Sequence, residues 1–266
     1  MRLTIVRFAL LCLSLSFGML VFISIGTAQL DLKGVVAMWL LDEGAGDQVT
    51  DSSGNGNDGG FASGKPAWVN GKFGGALSFD GKADWVEMDA PVIVDTVDFT
   101  IGCWVNPGDT QKTWTNILSS HQEPPRRGLS FEQIENNVNL FGVASGDGVN
   151  WGWPDATAQL KEGVWNHMVS VREGKKATMY LNGNVVSDGD FASADPIVAA
   201  TSKFRIGNWV LGGREFNGIV DDVFIFNRAL SEDEVKSITD RGLEGAQPVT
   251  PRDKVATSWG KLKTQY

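Results

Sequence analysis

Short runs of alternating apolar and polar residues, separated by turns rich in Gly, Asn and Asp, extend from about Lys33 to Asn227. Strict alternation places every second side chain on one face, which is the pattern of a half-buried β-strand. Runs at 34–43, 98–107, 164–173, 177–187 and 216–226 predict strands. The pair Asn182-Gly183 suits a type I′ turn and predicts a hairpin. Short strands at regular spacing predict a sandwich or a barrel.

One helix is predicted near the C-terminal end of the chain. Ser231 and Glu234 have the spacing of a capping box, so the helix should begin just after Ser231. Gly242 is predicted to end it, because glycine is common just beyond a helix. Residues 246–266 contain two prolines and scattered basic residues, and predict a flexible C-terminal tail.

The first 28 residues predict a secretory signal peptide. Arg2 and Arg7 precede an apolar run at 8–25, and the small residues Gly26-Thr27-Ala28 follow. This order predicts cleavage after Ala28 and a location outside the cell or on its surface. An uncleaved membrane anchor is the alternative, because the apolar run approaches the length of a bilayer span. Cleavage would leave a chain without a membrane span.

Composition and charge narrow the class of partner. Glycine contributes 32 of the 266 residues, and ten tryptophans stand against two tyrosines, which favours a turn-rich domain with large apolar anchors. The formal net charge of −9 argues against a nucleic-acid partner, whose phosphates it would repel. Only Cys103 lies beyond the leader, so no intramolecular disulfide is expected.

The distribution of acidic residues argues against an enzyme of the glycosidase type. Such an enzyme needs two carboxylates that face one cleft. Glu132 and Glu135 are separated by an odd number of positions, so on a strand they would lie on opposite faces. The sequence therefore predicts a protein without catalytic residues.

Six segments, in order, carry a resemblance to a known family. They are "AMWLLDEGAGDQVTDSSGNGNDG", "GKFGGALSFDGKADWVEM", "FTIGCWVNP", "WNHMVSVREGKKATMYLNGNVV", "FRIGN" and "FNGIVDDVFIFNRALSEDEV". Together they resemble the laminin-G-like jelly-roll family within the concanavalin A-like lectin/glucanase fold. The resemblance spans 34–240. It implies an all-β domain at 29–245, a two-sheet antiparallel jelly-roll sandwich with one short C-terminal helix.

The resemblance also implies a function. Many members of the family are secreted recognition modules that bind glycans or proteins, often with calcium. We therefore expect a non-catalytic module that binds a carbohydrate or an extracellular protein. Because one fold hosts many activities, a divergent glycoside hydrolase or polysaccharide lyase is the alternative. A structural module whose tail docks into a larger assembly is a third possibility.

A calcium site is predicted around the loop 42–60. This loop is rich in glycine and in oxygen-bearing side chains, among them Asp51, Asn55 and Asn57, and calcium prefers six to eight oxygen ligands. The resemblance implies that Asp80 and Asp221 contribute ligands to one structural ion with this loop. Alternatively, the loop residues are ordinary turn residues.

The orientation of Asp221 follows from strand alternation. Asp221 shares its parity with Val223 and Ile225, so it is predicted to face the core. A lone buried carboxylate is costly unless it is paired or bound to a metal. The alternatives are an ion pair with a nearby basic residue or hydrogen bonds from backbone amides.

A ligand site is predicted on the glycine-rich loop 142–159. It carries Trp151 and Trp153, and exposed indole rings stack on sugar faces. Trp114 and His121 lie on segments that are expected to border the same surface. Alternatively, the two loop tryptophans cover a sheet edge and contact no ligand.

Overall fold

The computed structural model describes residues 29–134, 139–149 and 151–247. The predicted leader 1–28 and residues 248–266 of the predicted tail lie outside these ranges. The strands are β1 (Val35–Trp39), β2 (Gln48–Val49), β3 (Gly59–Ser63), β4 (Ala67–Asn70), β5 (Gly75–Asp80), β6 (Trp85–Met88), β7 (Phe99–Pro107), β8 (Asn116–Ser119), β9 (Arg127–Gln133), β10 (Leu140–Asp147), β11 (Trp151–Gly152), β12 (Thr157–Gln159), β13 (Asn166–Glu173), β14 (Lys176–Leu181), β15 (Asn184–Asp190), β16 (Arg205–Ile206) and β17 (Asn217–Phe226). The helix is α1 (Glu232–Ala246).

The strands form two antiparallel sheets. The first has the order β15-β14-β13-β7-β17-β5-β4, with β1 also paired to β17. The second has the order β11-β10-β9-β8-β16-β6-β3-β2, with β12 also paired to β10. Asn182 and Gly183, between β14 and β15, have φ values of 50° and 77°, as a type I′ turn requires. The predicted fold class is confirmed.

The main core lies between the two sheets. The predicted inner face of β7 is confirmed, since its alternating residues Phe99, Ile101, Cys103 and Val105 all belong to this core. Trp39 of the first sheet stacks on Phe204 with ring centroids 5.3 Å apart. Burial of such large apolar side chains is the main source of folding free energy.

A second apolar cluster lies under α1, on the outer face of the first sheet. Ser231 caps the helix through the predicted capping box. Val235 and Ile238 of α1 pack against Phe224 of β17 and Val169 of β13. Strands β7, β13 and β17 are therefore buried on both faces. Within the described part of the chain, no helix combines the length and the hydropathy of a membrane span.

The prediction that Gly242 ends the helix is confirmed in part. Gly242 has a non-helical backbone with a φ of 71° and a ψ of 173°, so the first helical segment of α1 ends there in a kink, and a short second segment follows to Ala246. The Leu243 N–H donates a hydrogen bond of 2.8 Å to Asp222 Oδ2, and the Leu243 side chain is buried. These tertiary contacts hold the short segment that follows the break, which the sequence did not predict.

The prediction that Asp221 faces the main core is wrong. Asp221 lies opposite Trp104 of β7, on the outer face of the first sheet. The pairing register shifts between Asp221 and Phe224, and Asp222 has a positive φ of 45°. This β-bulge adds one residue and reverses the parity of the strand, so Val223 and Ile225 enter the core whereas Asp221 does not.

Candidate functional site

A cavity of about 330 Å³ opens where loops of the second sheet converge. We call it the tryptophan cavity. It is lined by Trp114, His121, Glu123, Arg126, Glu132, Trp153 and Arg214. Its volume lies near the lower limit of ligand pockets, which typically measure about 300–1,000 Å³.

Two indole rings form the aromatic wall of the cavity. Trp114 precedes β8 and Trp153 follows β11, and both are half-buried. Their ring centroids are 6.0 Å apart, with an angle of 53° between the planes. Trp114 has a positive φ of 62°, and its carbonyl accepts a 2.7 Å hydrogen bond from the Asn116 side chain. The tilted pair leaves indole faces available to a flat apolar group.

Glu132 forms the polar base of the tryptophan cavity, which we call its floor. Leu129 and Phe131 of β9 face the main core, so Glu132 projects from the other face of the sheet. Its side chain is only 1% exposed. Arg214 Nη1 lies 3.6 Å and His121 Nδ1 lies 3.8 Å from Glu132 Oε2. The carboxylate therefore lies between two basic groups at the base of the cavity.

Arg214 is positioned by backbone pairing and by an aromatic ring. The Asn116 N–H donates a 3.0 Å hydrogen bond to the Arg214 carbonyl, which fixes this segment against β8. The guanidinium lies 4.0 Å from the centroid of the Trp209 ring, a cation–π arrangement. Trp209 in turn donates its indole N–H to the His121 carbonyl at 3.1 Å. These contacts hold Arg214 beside Glu132.

The loop between β8 and β9 forms the outer rim. Arg126 Nε donates a 2.9 Å hydrogen bond to Glu123 Oε1, and both side chains are partly exposed. Glu123 Oε2 lies 3.9 Å from Nε2 of the nearly buried His121. The rim thus places another carboxylate on the opposite side of the His121 ring from Glu132.

The predicted ligand residues are partly brought together. Trp114, His121 and Trp153 all line the tryptophan cavity. Trp151 belongs to β11, which pairs with β10, but its side chain lies outside the described part of the molecule. Sequence reasoning did not assign Glu132 or Arg214 to the site. The alternation of β9 could have identified Glu132 as an outward-facing residue, but nothing local indicates Arg214.

The loop residues of the predicted calcium site are held by hydrogen bonds to protein groups. Asp51 Oδ1 accepts hydrogen bonds from the Met38 and Ser53 amides, and Asp51 Oδ2 accepts from the Asn57 amide. Burial alone would raise the pKa of Asp51, but these hydrogen bonds outweigh it and the pKa is lowered. Asn55 and Asn57 donate their side-chain amides to carbonyls of β1. The loop residues therefore have the roles of turn residues.

The two remaining carboxylates of that site lie apart from each other. Asp80 of β5 lies opposite Asn217 of β17. Asn217 precedes Asp221 by four positions, and four residues of extended strand span about 13 Å at about 3.3 Å per residue. Asp80 accepts hydrogen bonds from the Lys82 and Ala83 amides. Asp221 Oδ2 instead accepts from the amides of 72 and 73. In the described ranges, no three acidic, His or Cys residues cluster as metal ligands. The five residues do not fit one calcium ion.

This geometry predicts how calcium affects stability. A calcium ion that binds only the folded state would raise the melting temperature with concentration. Because Asp80 and Asp221 cannot share one ion, we expect equal melting temperatures in chelator and in millimolar calcium, measured by calorimetry. A rise of several degrees in calcium that is lost in Asp221→Asn would contradict this placement.

Comparison with known proteins supports the architecture. Residues 80–236 match the family model described as the concanavalin A-like lectin/glucanases superfamily. Domain 4 of AbnA, a GH43 extracellular arabinanase from Geobacillus stearothermophilus solved with arabinotriose, is similar in fold, with a TM-score of 0.61 and 20% sequence identity. The match covers 77% of this chain and 98% of that domain.

Two toxin structures have the same architecture. The binding domain of Paraclostridial mosquitocidal protein 1 matches with a TM-score of 0.60 and 15% identity over 78% of this chain. A structure of botulinum neurotoxin type C matches with a TM-score of 0.57 and 12% identity over 79% of this chain. Cell entry of that toxin is dependent upon interaction with two ganglioside molecules. The chain spans about half the length of each toxin chain, 52% and 51%.

Proposed function

From the premise that this chain belongs to the concanavalin A-like lectin/glucanases superfamily, we propose that it is a non-catalytic carbohydrate-binding module. The tryptophan cavity is its binding site. The observation that carries the proposal is the pairing of two tilted indole rings with a buried polar floor in one cavity.

The chemistry of the cavity suits a sugar better than an apolar ligand. A sugar ring has apolar C–H faces and a rim of hydroxyl groups. Trp114 and Trp153 offer faces for the former, whereas Glu132, Glu123 and Arg126 offer hydrogen-bonding groups for the latter. Such a cavity accommodates a short segment of a glycan.

The structural neighbours give independent support. The arabinanase domain was solved with arabinotriose, and the neurotoxin's cell entry is described as dependent upon gangliosides. Both ligands are carbohydrates or carry them. The proposal includes export by the leader 1–28, because a module that binds glycans would meet them outside the cell.

Removal of one indole ring tests the proposal. Trp153→Ala should weaken binding of the tightest oligosaccharide found on a glycan array by about ten-fold or more, which corresponds to about 1.4 kcal/mol. The reason is the loss of a rigid aromatic contact at the centre of the site. Isothermal titration calorimetry with that oligosaccharide measures the change.

Trp68→Ala is the matched control for this experiment. Trp68 is also half-buried, but it lies on β4 beside Phe61, far from the cavity in the sheet order. The control should bind like the wild type. Equal losses in both variants would contradict the assignment of the site, and release of reducing sugar by the wild type, abolished in Glu132→Gln, would establish the hydrolase alternative.

A further inference from the structure

The Glu132 carboxylate has unused hydrogen-bonding capacity at the floor of the tryptophan cavity. Both of its oxygens are buried, and neither has a hydrogen-bond partner among the residues that the structure describes. The contacts to Arg214 at 3.6 Å and His121 at 3.8 Å exceed hydrogen-bond distance. A buried carboxylate without hydrogen bonds is unfavourable in the unliganded protein. Its natural complement is a ligand that donates hydrogen bonds to both oxygens.

The other charges of the cavity are already balanced. Arg126 is bound to Glu123, and Arg214 lies beside Glu132, so each guanidinium faces a carboxylate. The formal charges of these four side chains sum to zero, and the whole chain carries −9. An anionic ligand would find each guanidinium of the cavity already beside a carboxylate, and it would approach a protein of negative net charge. The electrostatics therefore favour a neutral ligand with several hydroxyl donors.

We propose that the tryptophan cavity selects neutral glycans, and that Glu132 determines this specificity by accepting hydrogen bonds from two adjacent hydroxyl groups of one sugar ring. The inference rests on the proposed carbohydrate-binding function and adds the class of ligand to it. A carboxylate can accept two parallel hydrogen bonds, and hydrogen bonds to a charged group are stronger than those between neutral groups. Uronic and sialic acids bind more weakly, because the cavity offers them no unpaired cation and the protein carries a negative net charge.

The test combines a glycan array with titration of the full mature chain. The array carries neutral, uronic-acid-containing and sialylated oligosaccharides, including galactotriose and trigalacturonic acid, which differ in charge and share ring stereochemistry. The tightest neutral probe and the tightest acidic probe are then titrated calorimetrically into wild type, Glu132→Gln and Glu87→Gln. Glu87 is the control, because it lies on β6 of the same sheet and pairs with Arg205 outside the cavity.

The expected result has two parts. The wild type binds the neutral probe at least ten-fold more tightly than the acidic one, and Glu132→Gln loses about ten-fold or more of the affinity for the neutral probe. The melting temperature of Glu132→Gln stays close to that of the wild type, because the carboxylate accepts no hydrogen bond that the substitution would break and the Arg214 side chain that faces it is partly exposed to water. Glu87→Gln keeps the wild-type affinity.

The possible failures are distinguishable. If no probe binds, the proposed function itself is wrong. If binding is lost in Trp153→Ala but is strongest for acidic probes, or survives unchanged in Glu132→Gln, the carbohydrate-binding function stands and the inference about Glu132 is overturned. If Glu132→Gln loses both affinity and several degrees of melting temperature, Glu132 has a structural role and the inference is again overturned.

Discussion

Replacing Asp221 with asparagine should make the folded protein more stable at pH 8 and reduce its loss of stability between pH 5 and pH 8. Asp221 is fully buried on the outer face of the first sheet. Burial, followed by the neighbouring charge of Asp222, raises the pKa of Asp221 to about 8, although backbone hydrogen bonds partly oppose the change. The protonated carboxyl is the form that the fold accommodates.

The direction of the pH effect follows from proton binding. Between its unfolded pKa of about 4 and its folded pKa near 8, Asp221 holds a proton in the folded state that it has lost in the unfolded state. The contribution of Asp221 to the free energy of unfolding should therefore fall as pH rises from 4 to 8. Burial also raises the pKa of Asp222 to about 7, which adds to this loss, and lowers the pKa of His167 to about 3, which opposes it below about pH 6.5. Each unit of pKa difference corresponds to about 1.36 kcal/mol, so the loss amounts to several kcal/mol.

Urea unfolding at pH 5 and pH 8 measures this effect. Asparagine keeps an oxygen for the amides of 72 and 73 and cannot ionise, so Asp221→Asn should remove the Asp221 part of the wild-type difference between the two pH values and leave the part that Asp222 contributes. Asp80→Asn is the control, because Asp80 is an exposed aspartate that caps a neighbouring turn. A wild type that gains stability from pH 5 to pH 8 would refute the account of Asp221.

Gly189→Ala should reduce both stability and oligosaccharide affinity. A Cβ added at Gly189 would lie 1.7 Å from the carbonyl oxygen of Pro154, a backbone atom that can move only with its loop. That loop carries Trp153, and the Ser187 side chain also contacts it through the Asp155 carbonyl at 3.3 Å. The added methyl group therefore displaces one wall of the tryptophan cavity.

The expected size of this effect is large for one methyl group. Overpacking typically costs about 1–3 kcal/mol, and a displaced contact residue adds a loss of affinity of about ten-fold or more. Calorimetric unfolding and titration with the tightest array oligosaccharide measure the two effects. Gly245→Ala in the last turn of α1 is the control and should preserve affinity. Wild-type affinity in Gly189→Ala would show that β15 does not support the site.

The strands and the helix start could be predicted because their signals are local. The alternation of β7, the Asn182-Gly183 turn and the capping box at Ser231 each depend on residues a few positions apart, and each is confirmed. The orientation of Asp221 could not be predicted in this way. It depends on a bulge at Asp222, and one extra residue reverses every parity argument beyond it.

The candidate site was only partly predictable for a related reason. The sequence indicated Trp114, His121 and Trp153 as side chains suited to a ligand, and sheet pairing brings their segments together. In the sequence, the acidic residue near Glu132 is Glu135, which lies outside the described residues. The contact between Glu132 and Arg214 could not be predicted from the sequence, because Arg214 is distant in the chain and is placed against β8 by tertiary pairing.

A crystal structure of the protein with its tightest array oligosaccharide tests the central claim most directly. The account predicts one sugar ring packed against the faces of the neighbouring Trp114 and Trp153 indoles, with two adjacent hydroxyl groups within hydrogen-bond distance of the Glu132 oxygens. Density for the oligosaccharide elsewhere, for example on the Trp68 and Phe61 rings, with the tryptophan cavity holding only solvent, would contradict it.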